Sequence, residues 1–239
     1  MTVEGLRCLR CCKAYGKAKA LDEVSLDVAV GEVVGLVGPN GAGKTTLLHA
    51  VTGLTQLDSG TITVNGIPIR ERKAKARLSF MPDDLPRPRQ LTARELVELV
   101  CRLYSIPPDN EQIEDLAEQF ELSGRLDEPM AGFSHGMGRK VDLLSALVVD
   151  PQVLVMDEPF SGMDPITVDV LTDLIKGRGA RGRSTLLSTH DLELAALLSD
   201  RVVMLTQGRV AFSGTPAQIL ATHGTADIRD AFRTITEMV

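Results

Sequence analysis

The sequence predicts an α/β fold, and three observations support that class. An apolar run typical of a buried strand, Val33–Val37, leads through a glycine-rich turn, Gly38–Gly43, into Leu47–Val51 at helical spacing. A second apolar run, Val153–Met156, ends in two acidic residues. Between these runs, the stretch over about residues 89–149 changes to helical character. We therefore expect an α/β core interrupted by an inserted α-helical subdomain.

The composition is that of an ordinary globular protein. The chain has 239 residues, of which 44% are hydrophobic and 24% charged. A net charge of −6 argues against nucleic acid as the main partner. We find no uninterrupted apolar run of about eighteen residues and no basic-then-apolar leader at Met1–Gly5. These observations predict a cytoplasmic location.

Three of the four cysteines cluster as Cys8, Cys11 and Cys12. A zinc half-site is conceivable, but no second Cys or His pair lies nearby at ligand spacing. In a cytosolic protein these thiols stay reduced. We interpret them as small strand residues.

Residues Leu6–Cys12 and Leu21–Val30 alternate between polar and apolar side chains, which is typical of half-exposed strands. The turn Tyr15–Lys17 lies between them. A tyrosine in a loop is most often a surface residue. If a nucleotide binds nearby, the ring of Tyr15 could stack on its base.

The glycine-rich turn has the composition of a phosphate-binding P-loop. Its glycines let successive backbone N–H groups point into one concavity at a helix N-terminus. Lys44 would reach the β- and γ-phosphates, and the Thr45 hydroxyl would ligate Mg²⁺. We predict that the chain binds a nucleoside triphosphate through Gly38, Pro39, Asn40, Gly41, Ala42, Gly43, Lys44, Thr45 and Thr46.

The region after the P-loop helix is predicted to contain a hairpin and a further core strand. Gly53 is expected to end the helix, and Asn65–Gly66 marks a tight turn after Thr61–Val64. The basic run Arg70–Arg77 is interpreted as a solvated surface, with lipid headgroups or a partner loop as the weaker alternative. Leu78–Met81 is predicted to be a strand.

Helical signals dominate the inserted stretch. It follows a proline-rich loop, Asp83–Arg89, which is a plausible hinge. Thr92–Glu95 forms a capping box that opens a helix through about Tyr104. Pro107–Asp109 precedes a second amphipathic helix, which runs to about Phe120.

The second half of the chain supplies candidate catalytic groups. Asp157 and Glu158 follow a predicted strand, at the sheet edge where open α/β folds bind ligands. Asp157 would hold Mg²⁺, and Glu158 would polarise the attacking water. His190 ends another predicted strand, Ser184–Ser188, where its imidazole could hydrogen-bond the γ-phosphate. Alternatively, the acidic pair could cap a helix and the histidine could be structural.

The chain ends in a predicted hairpin and helix. Arg201–Leu205 and Val210–Phe212 are expected to pair across a turn at Gln207–Arg209. Thr215, followed by Pro216, would cap a C-terminal helix.

Together these motifs resemble an ATP-binding cassette (ABC) ATPase over nearly the whole chain. The resemblance implies one domain over residues 1–239, with a RecA-like mixed-sheet core of the P-loop NTPase type (about 1–88 and 150–220). It also implies an N-terminal antiparallel β subdomain, the helical insertion over about 89–149 and a short helical tail over 215–239. The matching motifs are an adenine-stacking aromatic, Walker A, Walker B, D-loop and switch histidine, at Tyr15, Gly38–Thr45, Val153–Glu158, Ser161–Asp164 and Thr189–His190.

Two positions depart from the family pattern. The signature motif, usually Leu-Ser-Gly-Gly-Gln, is similar to Phe133–Met137, where Ser134 and Gly136 are kept and His135 replaces a glycine. The resemblance implies that Ser134 and Gly136 meet the γ-phosphate held by a second subunit. At the Q-loop, Asp83 stands where the family has glutamine. Its carboxylate can ligate Mg²⁺ but adds negative charge near the phosphates.

The resemblance implies a homodimer, or a pair of cassette subunits, closing around two Mg-ATP. It also implies a separate transmembrane permease, which would place the chain on the inner face of the cell membrane. The stretch Leu91–Leu99 resembles the single-cassette ATPases that pair with export permeases. The alternatives are a soluble cassette ATPase acting on ribosomes or DNA, and a nucleotide-gated regulatory module with weak hydrolysis.

Overall fold

A computed structural model of the chain describes residues 4–84, 86–225 and 227–237. Residues 1–3, 85, 226 and 238–239, which belong to the predicted domain, its proline-rich loop and its tail, lie outside the described residues. The strands are β1 Glu4–Tyr15, β2 Ala18–Ala29, β3 Val33–Val37, β4 Ser59–Val64, β5 Ile67–Pro68, β6 Leu78–Met81, β7 Val153–Asp157, β8 Ser184–Ser188, β9 Arg201–Thr206 and β10 Arg209–Gly214. The helices are α1 Lys44–Val51, α2 Arg72–Lys75, α3 Ala93–Leu103, α4 Asn110–Gln119, α5 His135–Leu147, α6 Pro165–Ala180, α7 Leu192–Leu198, α8 Pro216–His223 and α9 Ile228–Glu237, with a 3₁₀ turn at Met130–Gly132.

The strands form two sheets, which confirms the predicted mixed core and N-terminal antiparallel subdomain. The central sheet has the order β10-β9-β3-β8-β7-β6, and all its neighbouring strands are parallel except β9 and β10. Every residue of β3, β7 and β8 is buried. Strands covered on both faces need apolar residues throughout, which explains their unbroken apolar sequences.

The N-terminal sheet is antiparallel, with the order β2-β1-β4-β5. Its inward side chains, including Leu6 and Leu26, pack with Leu47 of α1 in one core cluster. Strands β1 and β2 are longer than predicted, because bulges near Arg10 (φ 45°) and Glu23 (φ 56°) interrupt the alternation of polar and apolar residues.

The clustered cysteines are residues of β1, as predicted. Cys8 and Cys11 are buried, Cys12 is half-buried, and all three are free thiols. Within the described ranges, no group of three or more His, Cys, Asp or Glu side chains is arranged to hold a metal ion.

The helices α3, α4 and α5 pack together beside β6 and β7. Their shared core includes Val97, Ile113, Phe120 and Leu144. The predicted capping box at Thr92 is present, and Asp109 caps α4. The Tyr104 hydroxyl donates to the carbonyl of Leu78 at 2.8 Å, which fastens α3 to the central sheet.

The C-terminal helices pack against the edge of the central sheet. Ile219 of α8 and Ala231 of α9 share a core cluster with Met204 of β9. The predicted capping box at Thr215 is present. None of the helices in the described part of the chain is both long enough and apolar enough to cross a membrane.

Candidate functional site

The candidate site lies at the carboxyl ends of three adjacent parallel strands. Strand β3 leads into the P-loop, β7 ends at Asp157, and β8 ends two residues before His190. Because β3 pairs with β8 and β8 pairs with β7, groups far apart in sequence meet at one sheet edge. Open α/β sheets bind their ligands at this edge.

The P-loop backbone passes close to its neighbours at two glycines. A Cβ atom at Gly38 would lie 2.2 Å from the carbonyl oxygen of Leu205, and one at Gly43 would lie 2.3 Å from that of Ala20. Gly43 also has φ 106° at the start of α1. Only glycine fits at these positions. The loop encloses a cavity of about 320 Å³, lined by Ala20, Pro39, Asn40, Gly41, Ala42, Gly43, Lys44, Thr45 and Thr46.

Lys44 holds its ammonium group over the P-loop. Its Nζ donates to the carbonyl of Gly38 at 2.6 Å and to that of Pro39 at 3.4 Å. The residue is 9% exposed. A cation at the mouth of a loop rich in N–H donors is suited to a polyphosphate.

Asp157 is a buried carboxylate held by two hydroxyl groups. Thr45 Oγ1 donates to Asp157 Oδ2 at 3.0 Å, and Ser188 Oγ donates to Asp157 Oδ1. Asp157 is 4% exposed. Ser188, which sequence reasoning did not single out, is therefore part of the site.

Glu158 and His190 are joined beside this carboxylate. Nδ1 of His190 lies 2.8 Å from Oε2 of Glu158, and the His190 backbone N–H donates to the same oxygen at 3.3 Å. Because an ionised carboxylate only accepts hydrogen bonds, Nδ1 is the protonated nitrogen. Among the described residues, no side chain or backbone group hydrogen-bonds to Oε1.

The oxygens of Thr45 and Asp157 fit a magnesium site. Mg²⁺ prefers oxygen ligands, and in nucleotide sites it usually keeps several waters while binding one or two protein groups and the substrate phosphates. The hydroxyl of Thr45 and the buried carboxylate of Asp157, in contact beside the phosphate loop, provide that donor set.

Tyr15 lies on the hairpin beside the P-loop cavity and is not one of its lining residues. It pairs with Ala18 at the end of β1, is 53% exposed, and has Lys13 Nζ 5.5 Å from its ring centroid. Ala20, two residues after Ala18, contributes to the cavity wall. The sequence does not distinguish Ala20, because it contributes a backbone carbonyl, which every residue has, and no side-chain chemistry.

Ser134 and Gly136 lie at the start of α5, outside the lining of the P-loop cavity. Ser134 caps the helix by accepting from the N–H of Met137 at 3.2 Å, and it is exposed. The ring of His135 lies beside Gly162, where an added Cβ would be 3.7 Å from Cδ2 of the imidazole. The predicted signature and D-loop segments are therefore neighbours on one face.

Asp164 caps α6 and joins it to α5. Its carboxylate accepts from the N–H and the hydroxyl of Thr167, each at 2.8 Å, and lies 3.1 Å from Lys140 Nζ. The Thr167 backbone N–H, then its hydroxyl and Lys140, lower the pKa of Asp164 to about 2. Among the described residues, the Asp164 carboxylate makes its hydrogen bonds and ion pair with Thr167 and Lys140.

Asp83 is attached to a buried arginine that sequence reasoning missed. The Asp83 carbonyl accepts from Arg139 Nη1, and its carboxylate, 55% exposed, lies 3.8 Å from Arg139 Nη2. The predicted role of Asp83 as a magnesium ligand stays a prediction. Arg139 had no distinguishing signal, because its position in α5 looks like any other in a helix.

Comparison with known proteins shows clear similarity over most of the chain. A family model described as "ABC transporter" matches residues 21–161. The "Nod factor export ATP-binding protein I" of Paraburkholderia xenovorans is 36% identical over 224 residues, covering 92% of this chain and 74% of the relative. The protein of the same name in Sinorhizobium fredii is 37% identical over 212 residues, and the match spans 87% of this chain and 62% of that relative's length.

Solved structures agree in fold over nearly the whole chain. The "ATP binding subunit of ABC transporter" superposes with a TM-score of 0.90 at 30% identity, covering 97% of this chain and 99% of the other. An ATP-binding cassette of an ABC transporter in its ADP conformation gives a TM-score of 0.78 at 25% identity, covering 97% of this chain and 99% of the other.

Proposed function

The chain belongs to the ABC transporter family, and on that premise we propose that it binds and hydrolyses ATP with Mg²⁺ as the ATP-binding subunit of an export transporter. One observation carries the proposal. Thr45, in the first turn of α1 and in the wall of the P-loop cavity, contacts Asp157 at the end of β7. Glu158, the next residue, contacts His190, which lies two residues after the adjacent strand β8. This arrangement supports the proposal of a metal-binding pair and a base–histidine pair around one phosphate site.

The P-loop would bind the phosphates of ATP. Its backbone N–H groups and the N-terminus of α1 present partial positive charge to an anion. Lys44 adds a full charge and would exchange its hydrogen bonds to loop carbonyls for phosphate oxygens. The exposed ring of Tyr15, on the adjacent hairpin, would stack on the adenine.

Thr45 and Asp157 would hold Mg²⁺, with Asp83 as a further proposed ligand. The bound ion would neutralise charge on the β- and γ-phosphates. Ser188 holds Asp157 by donating to Oδ1. The hydroxyl of Thr45 would then turn from Asp157 to present its oxygen lone pair to the ion.

Glu158 would act as the general base. Its Oε1, to which no described residue hydrogen-bonds, would accept a proton from a water molecule, whose oxygen attacks the γ-phosphorus as the bond to the bridging oxygen breaks. His190 would orient the carboxylate through Oε2. Its other ring nitrogen, Nε2, would donate to the γ-phosphate in the imidazolium form. The products are ADP and inorganic phosphate.

A second copy, or another cassette subunit, would complete each site. Ser134 is exposed at the start of α5, and neither Ser134 nor Gly136 lines the cavity of its own chain. A helix N-terminus with an exposed hydroxyl is suited to meet the γ-phosphate of a facing subunit. Asp164 would support that face by fixing the start of α6.

Transport would be carried out by a separate permease, with the chain on the inner face of the cell membrane. The similarity to proteins named for Nod factor export favours export for this chain too. It favours a transporter subunit over a soluble cassette acting on ribosomes or DNA. The Glu158–His190 pair favours hydrolysis over a purely regulatory role.

Phosphate release by the purified chain and its Glu158→Gln variant tests this function. We expect the variant to keep ATP affinity and lose turnover by about 100-fold or more, because general base catalysis supplies that much. Turnover that survives the substitution unchanged would remove Glu158 from the role of base. Failure of the wild-type chain to bind ATP would overturn the whole proposal.

A further inference from the structure

Arg139, on α5, binds backbone carbonyls in two other segments of the candidate site: the loop after β6 and Glu158, which follows β7. It lies on α5, five residues after Ser134, and is 1% exposed. Its Nη2 donates to the carbonyl of Glu158 at 2.7 Å. Its Nη1 donates to the carbonyls of Pro82, at 3.2 Å, and Asp83.

The contact with Glu158 fixes a residue in an unfavourable conformation. Glu158 has φ 48°, a left-handed value that non-glycine residues rarely adopt. Its N–H donates to the carbonyl and hydroxyl oxygens of Ser188, each at 3.1 Å. Its own carbonyl accepts from Arg139. Holding both adjacent peptide groups sets the direction in which the carboxylate leaves the backbone.

The loop after β6 is attached to α5 at a second point. Nε of Arg87 donates to both carboxylate oxygens of Asp142 at 3.0 Å, and Arg87 packs across Gly138, where an added Cβ would be 2.8 Å from its Cζ. Asp142 is 7% exposed. The loop is thus bound to α5 at two points, through Asp83 and through Arg87. Arg139 also binds the carbonyl of Glu158.

We propose that Arg139 is a positioning residue for ATP hydrolysis: it holds the backbone of Glu158 and links the direction of that carboxylate to the position of the loop after β6. The inference rests on the proposed function, in which Glu158 is the general base. Arg139 acts through the peptide group of Glu158 and needs no contact with nucleotide.

The bonding of Arg139 differs from that of another buried arginine, Arg178, which is 2% exposed. Arg178 pairs with Asp150 at 3.0 Å and donates to the carbonyl of Pro151, with no site residue among these partners. Within the described chain, the nearest carboxylate to Arg139 is that of Asp83, 3.8 Å away. Removing Arg139 would leave three carbonyls without this donor, one of them on Glu158.

The test compares Arg139→Met with Arg178→Met in the purified full chain, measuring ATP affinity by titration and turnover by phosphate release. For Arg139→Met we expect turnover to fall about 10- to 100-fold, because a small displacement of a catalytic group has that effect, while ATP affinity is kept. For Arg178→Met we expect a lower unfolding midpoint and unchanged turnover per folded molecule. Equal turnover in the two variants would overturn the inference.

A double variant distinguishes positioning from general support of the fold. In a Glu158→Gln background, Arg139→Met should cause no further loss, because the group it positions is already gone. A further loss of the same factor would overturn the inference. If Arg139→Met does not fold, Arg139→Lys carries the test, because lysine has one nitrogen where Arg139 uses two, Nη1 for the carbonyls of Pro82 and Asp83 and Nη2 for that of Glu158. Wild-type turnover in the lysine variant would contradict the proposal.

The outcomes also separate this inference from the proposed function. A defective Glu158→Gln variant beside a fully active Arg139→Met variant would leave the ATPase intact and remove only the role of Arg139. Turnover unaffected by Glu158→Gln would instead contradict the proposed function.

Discussion

Nδ1 of His190 lies 2.8 Å from Oε2 of Glu158, joining the segment after β8 to the residue after β7. The His190 side chain is 73% exposed, whereas that of Glu158 is 17% exposed. The histidine therefore lies on the solvent side of the carboxylate. It occupies one carboxylate oxygen and leaves the other for a water molecule.

Replacing His190 with alanine should slow hydrolysis and spare binding. The imidazole restrains Glu158 and makes none of the P-loop contacts, so we expect turnover to fall roughly 100-fold, as for loss of one preorganised donor, with little change in ATP affinity. Phosphate release and nucleotide titration measure the two quantities. His190→Gln keeps one donor and should retain more activity. Loss of ATP affinity in the alanine variant would place His190 in binding instead.

Much of the fold could be predicted from local patterns. Strands β3 and β7 are continuous apolar runs because both their faces are covered, and the helices α3 and α8 begin at capping boxes visible in the sequence. The position of Asp157 and Glu158 directly after such a strand predicts that they belong to the site. The order of elements then predicts that groups at strand ends share one edge.

The missed features depend on contacts between distant segments. Arg139 contacts residues 19 and 56 positions away, and nothing in the periodicity of α5 separates it from a helix residue with no special role. Ala20 contributes only a backbone carbonyl close to Gly43. The full lengths of β1 and β2 were hidden by bulges, which shift the alternation on which strand prediction depends.

Lys44→Met should weaken ATP binding about 10- to 100-fold, because a charge-assisted hydrogen bond contributes about 1.5–3 kcal/mol. Isothermal titration with ATP measures the change. The matched control is Lys73→Met, which alters net charge equally at an exposed position of α2. Equal weakening in both variants would point to the overall charge of the protein and away from a specific contact with phosphate.

Gly43→Ala should lower the free energy of unfolding by more than the backbone strain of an alanine with positive φ would cost. The new Cβ would lie 2.3 Å from the Ala20 carbonyl, in addition to the strain of φ 106°. The control is Gly124→Ala, at φ 74° with no neighbour within 4 Å, where we expect only the strain cost of about 1–3 kcal/mol. Urea unfolding compares the two variants. Similar destabilisation would mean that the loop relaxes away from β2.

Protonation of the Asp164 carboxylate should make the protein less stable in acid. Its pKa is lowered to about 2 by the Thr167 backbone N–H, the Thr167 hydroxyl and Lys140, against about 3.9 in an unfolded chain. A carboxyl group with a lowered pKa stabilises the fold fully above its unfolded pKa. That stabilisation is lost as the pH falls from about 4 through about 2.

The Asp164→Asn variant isolates this charge, because asparagine can still accept the helix-capping hydrogen bond. We expect it to be less stable than wild type at neutral pH by no more than about 1 kcal/mol, since the side chain is 46% exposed and water screens the ion pair. Urea unfolding between pH 7 and about pH 2 should show the gap closing below about pH 4. Asp173→Asn, at an exposed position of the same helix, is the matched control for the loss of one negative charge. A wild-type advantage that persists undiminished at about pH 2 would mean that the carboxylate charge is not what stabilises the start of α6.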